Sequence, residues 1–248
     1  VKDIKDLARI VKEAFFIANT GRRGPVLIDL PVDVTMEKCE EVIPTVVDLP
    51  GYKPRYEGNI RQIMIAAEAI NSSKQPVVYA GGGIITSECS KDLLEFAEKG
   101  NLPVTTTLMG LGGFPEDHHL SLGMLGMHGT AYANFAVTES DVLVAIGARF
   151  DDRITGKIDE FAPHAKIIHV DIDPASISKS IRVDIPVVGD AKNILQELNK
   201  HIHFDERKEW FDKIKHWKEK NPLSYNNSGN VIKPQYVIEQ ICDAAKGN

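Results

Sequence analysis

The segment Gly147–Lys157, GARFDDRITGK, gathers Arg149, Asp151, Asp152 and Arg153 within five residues, directly after the apolar run Val142–Ile146. A guanidinium is a planar fork that matches a carboxylate or a phosphate, and a neighbouring acid can fix its direction. Charge packed just past a buried strand stands where open parallel sheets bind their ligands. Arg153 is therefore a candidate for selecting a carboxylic acid, with Asp152 as the acid that positions it. The plainer alternative is a surface ion pair, worth at most about 1 kcal/mol.

Other strand ends carry a matching set. Gly81, Gly82 and Gly83 follow Tyr79 and Ala80; Thr105 to Leu108 follow Val104; Asp171 closes a strand in HVDID, and Asp190 lies in VVGDA. Glycine lets backbone amides approach a phosphate or a ring, and an acid at a strand end accepts hydrogen bonds from ribose hydroxyls. Jointly they point to a dinucleotide. Singly each has another reading: the glycine triplet does not match GxGxxG and is more often just a tight strand-to-helix turn. Asp173, before Pro174, and Asp190, before Ala191, are equally suited to cap helical turns. Leu122–Thr130, LGMLGMHGT, reads as a loop before a helix, with flexible apolar side chains suited to a flat ring or to filling core gaps. His128 has no second ligand at metal spacing, and His118 and His119 beside Glu116 and Asp117 read as a solvated loop.

These groups need strands to hold them. From Asn59 onward the pattern alternates: a helix to about Asn71, strand Pro76–Ala80, helix Glu88–Lys99, strand Pro103–Thr106, a helix near Ala131–Val137, strands Val142–Ile146, Lys166–Asp171 and Ile185–Val188, and helix Ala191–His201. This predicts an α/β fold, a doubly wound, Rossmann-like and mostly parallel sheet of about six strands covered on both faces. Before it lie a helix from about Asp3 to Asn19, a turn at Gly21–Gly24 and a strand Val26–Leu30. The Pro- and Gly-rich stretch Glu40–Gly58 reads as a linker. After His203 come a charged helix, Glu206–Lys220, a loop with Pro222, Asn226, Asn227 and Gly229, and a last helix after Pro234. The expected division is 1–38, the tail of one domain; 39–58, a linker; 59–203, a complete central domain; and 204–248, a connector and the start of another. The chain enters at Val1 already in a helical pattern and stops at Gly247 and Asn248 after another, so a segment of a longer polypeptide is expected.

Composition narrows the class further. The chain has 248 residues, 43% hydrophobic and 26% charged, with net charge −6, which is ordinary for a globular protein. No basic face argues for nucleic acid, no apolar run approaches the roughly 20 residues of a membrane span, and no signal or transit peptide is recognisable. Cys39, Cys89 and Cys242 are far apart and without metal spacing, as expected of reduced thiols in the cytoplasm.

The strings EAFFIANTGRRGPVLIDLPVDV at the start, GGG at Gly81, TTLMGLGGFPEDHHLSLGMLGMHGTAYANFAV, GARFDDRITGK and HVDIDPASISKS closely resemble the catalytic subunits of acetohydroxyacid synthase (acetolactate synthase), a thiamine-diphosphate enzyme family. The resemblance runs through nearly the whole chain. It implies the end of the pyrimidine-binding domain, all of a central FAD-binding domain and the lead into the diphosphate-binding domain. In that family pyruvate is decarboxylated on thiamine diphosphate and joined to a second 2-ketoacid, giving 2-acetolactate or 2-aceto-2-hydroxybutyrate for branched-chain amino acid synthesis. FAD takes no net redox part.

By motif matching, the resemblance places FAD contacts on Arg22 in TGRRGP, on Gly82, on Thr107 and Leu108, and on Leu125, Gly126, Met127 and His128. It places further contacts on Gly147, Ala148, Arg149, Phe150 and Asp151, on Asp171 and Ile172, and on Asp190 and Ala191. Arg153 matches the arginine that recognises the second ketoacid, with Asp152 beside it. The glutamate that activates the thiamine ring and the GDG-to-Asn signature that binds Mg2+ and diphosphate do not occur, so this segment alone is expected to be inactive and to hold no metal. Homodimers or tetramers, and a regulatory small subunit in some members, are further implications. Rivals are another FAD-containing thiamine-diphosphate enzyme, such as glyoxylate carboligase or pyruvate oxidase, or a stand-alone nucleotide-binding module. A zinc-bearing sirtuin would need paired CxxC motifs that are absent.

Overall fold

The computed structural model describes residues 1–40, 42–226, 229 and 231–245. Its centre is a six-stranded, all-parallel sheet of β1 (Pro76–Ala80), β2 (Val104–Thr106), β3 (Ser121–Met124), β4 (Val142–Ile146), β5 (Lys166–Asp171) and β6 (Ile185–Val188), in the order β3-β2-β1-β4-β5-β6. The strand PVVYA of β1 and the strand VLVAI of β4 are buried at every position, as continuous apolar runs must be when helices cover both faces. Side chains alternate between those faces. Val78, Ala80, Val144 and Ile146 join one core cluster, while Val77, Tyr79, Leu143 and Ala145 join the other.

On the first face pack α3 (Ile60–Ser72), α5 (Ser90–Gly100) and α8 (Ala191–Leu198). Helix α3 starts where the Asn59 side chain accepts from the amides of Arg61 and Gln62, and it buries Ile63, Ala66, Ala67 and Ile70. That spacing keeps one stripe on the core. On the second face lie α6 (Ala131–Glu139), whose Thr130 cap accepts from Ala133 N, and α9 (Lys208–Lys220), which buries Trp210 and Ile214. Short α4 (Gly83–Thr86) and α7 (Asp152–Thr155) follow β1 and β4. The remaining helices are α1 (Leu7–Asn19), α2 (Val32–Met36) and α10 (Pro234–Ala245).

Several expectations shift: the helices expected over Glu206–Lys220 and Ala191–His201 run Lys208–Lys220 and Ala191–Leu198, and three further changes have clear local causes. Residues 26–31 form no strand, because a strand needs a partner for its amides and carbonyls and none of the six strands lies against them. Leu27 is 90% exposed there. The start of LGMLGMHGT is not loop: Ser121–Met124 is β3, the edge strand beside β2. Its serine, glycine and methionine hide the usual β-branched signal. The helix expected from Glu88 begins at Ser90, because α4 and a left-handed Glu88 (φ 52°) precede it. Asn227, Gly247 and Asn248 lie outside the described residues. Among those described, no helix is long and apolar enough to cross a membrane.

Candidate nucleotide crevice at the strand ends

The chain builds β1, β2 and β3 outward in one direction, then returns to lay β4 on the other side of β1. Loops leaving β1 and β4 therefore diverge, and a crevice opens between them at the carboxyl ends. Glycine sets how close those two loops come. Gly81 N donates to Ile146 O at 2.9 Å and Gly83 N to Gly147 O at 3.1 Å. A Cβ on Gly81 would sit 2.1 Å from Gly147 O, and one on Gly147, at φ +60°, would sit 2.5 Å from Gly83 Cα. Backbone packs on backbone here, which no side chain permits. The triplet is thus a tight turn into α4, and it also leaves Gly82 on the wall of the crevice.

The crevice has a volume of about 500 Å³ and is lined from five strand ends. Gly82 comes after β1, and Thr107 and Leu108 after β2; Gly147, Ala148, Arg149, Asp151 and Arg153 come after β4; Asp171 ends β5 and Ile172 follows it; Asp190 and Ala191 follow β6. Arg22 reaches in from the turn after α1. Phe150, Asp152 and the loop 125–128 are not on this wall. Phe150 turns inward at φ +54°, its ring 5.6 Å from Tyr79, 6.0 Å from Phe161 and 5.0 Å from His169. Leu125 is in the core, whereas Met127 and His128 are exposed. The loop still bears on the site, since Met127 N donates to Arg153 O at 3.0 Å and a Cβ on Gly126 would press on Ile154 and Arg153.

Charges are arranged unevenly along the crevice. Arg149 pairs with Asp151 at 2.9 Å, an exposed pair of little energetic weight. Arg153 has no ion-pair partner among the described residues, and its side chain faces solvent at the rim. Asp152 Oδ1 accepts from the Arg153 backbone amide at 3.0 Å, so it fixes the turn that carries Arg153 rather than the guanidinium. A hydrogen bond with Asp152, the Arg153 amide and the charge of Arg149 hold Asp151 below the usual carboxylate range.

Asp171 is buried and accepts from Asp173 N at 2.8 Å; burial raises its pKa. Burial also pushes Asp173 up, but the Ala175 amide, Arg22 and Ser176 outweigh it and hold Asp173 low. Arg22 Nη1 lies 3.3 Å from Asp173 and 3.1 Å from Ser176 Oγ. Asp190 is a helix cap that also stands on the crevice wall. Its Oδ1 caps α8 through Lys192 N at 3.0 Å, and its Oδ2 accepts from Ser87 Oγ at 2.7 Å on the crevice wall.

Several wall residues have no local signal in the sequence. Tyr56 comes from the linker, its hydroxyl accepting from Gly21 N at 3.1 Å and its carbonyl from Asp190 N at 2.9 Å. It ties the Arg22 turn to the end of β6. Tyr79 and Met109 also line the crevice. The donor set suits a flavin dinucleotide: arginines for the diphosphate, carboxylates for ribose hydroxyls, a glycine cradle for close approach, and exposed Leu108 and Met109 for a ring. Among the described residues no group of three or more His, Cys, Asp or Glu is placed to hold a metal ion.

Comparison with known proteins gives a consistent family. The family described as "Thiamine pyrophosphate enzyme, central domain" matches residues 63–198. The acetolactate synthase large subunit of Buchnera aphidicola subsp. Schlechtendalia chinensis is 47% identical across all of this chain, which covers 45% of that relative. A probable acetolactate synthase large subunit of Methanocaldococcus jannaschii is 49% identical over 98% of the chain and 42% of the relative. For the acetolactate synthase isozyme 3 large subunit of Escherichia coli the identity is 42%, over 100% of the chain and 45% of the relative. The chain thus spans less than half the length of these curated relatives.

Proposed function

The chain belongs to the thiamine pyrophosphate enzymes through their central domain, and from that premise we propose that it is the middle part of an acetolactate synthase catalytic subunit whose strand-end crevice holds FAD. What supports this is one observation: glycines, arginines and carboxylates scattered from Arg22 to Asp190 in sequence line a single crevice at the β1/β4 divergence. In this reading Arg22 and Arg149 face the diphosphate, Asp171 and Asp190 accept from ribose hydroxyls, and the loops at Gly82 and Gly147 give the nucleotide close backbone contact. Leu108, and the exposed Met127 and His128 of the loop that packs on Arg153, are assigned to the ring.

Arg153 has the further role of taking the carboxylate of the second 2-ketoacid. Its fork is unpaired and its backbone is fixed by Asp152 and Met127, so little orientation has to be supplied when the acid arrives. Thiamine diphosphate supplies, when bound, the chemistry that decarboxylates pyruvate. Its Mg2+ and activating groups do not fit the residues described here and belong to other parts of the enzyme. We place the domain limits at 1–38, 39–58, 59–203 and 204–248. The whole enzyme is read as a cytoplasmic homodimer or tetramer, with a regulatory small subunit as a possible partner.

The test is a product assay on a polypeptide that contains this chain together with its flanking domains. Pyruvate should yield acetolactate, and Arg153→Ala should abolish joining to the second ketoacid while pyruvate decarboxylation persists. Absence of acetolactate, with product from glyoxylate instead, would reject the assignment in favour of a carboligase of the second kind. The 248-residue chain by itself should form no acetolactate.

A further inference from the structure

Behind the crevice wall lies a titratable group that the nucleotide reading does not use. His169, on β5, is completely buried. Its Nε2 is 2.8 Å from Ala148 O and 3.7 Å from Asp171 Oδ2, and its Nδ1 has no hydrogen-bond partner. A proton on Nδ1 would be a buried donor without an acceptor, which is costly. The proton therefore sits on Nε2 and is donated to Ala148 O.

That carbonyl belongs to a loop in need of support. Gly147 is at φ +60° and Phe150 at φ +54°, and a non-glycine residue in the left-handed region persists only where its surroundings hold it. The Phe150 ring is held edge-on by His169 at 5.0 Å. Its inward turn leaves the neighbouring Arg149 and Asp151 on the crevice wall. One imidazole thus grips the loop twice, by a hydrogen bond before Arg149 and by a ring contact after it.

We propose that His169 is a positioning residue for the crevice: a neutral imidazole protonated on Nε2 that locks residues 147–151 into the shape presenting Arg149 and Asp151 to the ligand. The inference rests on the crevice being a nucleotide site only for its functional consequence; the lock itself belongs to the loop. Gln places an amide donor close to the imidazole Nε2 position, whereas Asn places it near Nδ1, out of reach of Ala148 O.

The experiment compares His169→Gln and His169→Asn with the parent chain by hydrogen–deuterium exchange over residues 147–151, and by FAD titration from below the dissociation constant up to saturation. The Asn variant should exchange about tenfold faster in this segment and bind FAD about tenfold more weakly, and the Gln variant should stay within about threefold of the parent in both, as loss or retention of one buried hydrogen bond implies. Equal exchange in all three proteins, or a Gln variant as fast as the Asn variant, would overturn the inference. Should the Asn variant not fold, the Gln variant decides: parent-like exchange upholds the lock and faster exchange refutes it. A parent chain that takes up no FAD while the exchange pattern holds would sink the nucleotide reading and leave the lock standing.

Discussion

Replacing Gly81 by Ala tests the crevice at its narrowest point. The new Cβ would lie 2.1 Å from Gly147 O and 2.7 Å from Ala148 Cα, both backbone atoms that cannot rotate away. Ordinary contact begins at 3.4 Å, so the β1 and β4 loops must part by about 1.3 Å. That movement also stretches the bonds from Gly81 N to Ile146 O and from Gly83 N to Gly147 O. Overpacking of this kind costs about 1–3 kcal/mol, and at about 2 kcal/mol a domain of this size should melt roughly 4–8 °C lower. Gly24→Ala is the control, since nothing lies within 4 Å of its Cβ position and its backbone is not left-handed. Thermal melts followed by circular dichroism should separate the two variants clearly. Equal melting temperatures would refute the claim that the two loops close backbone to backbone.

Other perturbations follow from the same packing. Burial lowers the His169 pKa, opposed by Asp171 and by the Ala148 carbonyl, so the unfolded chain binds its proton first. Stability from this group is complete above about pH 6.5 and declines as pH falls below it; urea midpoints between about pH 7 and 5 should fall less for His169→Gln than for the parent. Arg207, its side chain 1% exposed, donates to the carbonyls of Ile70, Ser73 and Gly100 at 3.1, 3.0 and 2.6 Å. Arg207→Ala leaves the Ser73 and Gly100 carbonyls without their donor, while Ile70 O keeps only Ser73 N, and should cost about 3–5 kcal/mol by urea unfolding, whereas a loss under about 1 kcal/mol would contradict that network. Burial first, then Asp190 and Asp92, push the Cys89 thiol up to about 12, whereas Cys39 and Cys242 are exposed. Thiol titration near pH 8 should count two fast groups, the third appearing only on unfolding.

The sheet was legible because its central strands are apolar at every position and are separated by helices with clear caps, such as Asn59 for α3 and Thr130 for α6. Strand β3 was not, because Ser121–Met124 owes its place to pairing with β2 rather than to its own composition. Residues 26–31 failed in the opposite sense: their local pattern is strand-like, but no partner strand completes it. In the crevice, groups at strand ends could be read from position alone, and Gly82, Asp171 and Asp190 do share one wall. What position could not give was direction. Phe150 faces the core through a left-handed backbone, Asp152 holds an amide rather than a guanidinium, and Tyr56 enters from a linker with no pattern of its own. His169 lay in a strand run where nothing local distinguishes a buried imidazole that grips a distant carbonyl from one that merely fills space.

The most direct measurement is a crystal structure of the chain grown with saturating FAD. Ligand density is expected along the carboxyl ends of β1 and β4, with the diphosphate between the Gly82 and Gly147 loops within reach of Arg22 or Arg149, and a ribose against Asp171 or Asp190. Density for FAD elsewhere on the protein, with this crevice filled only by solvent, would contradict this placement.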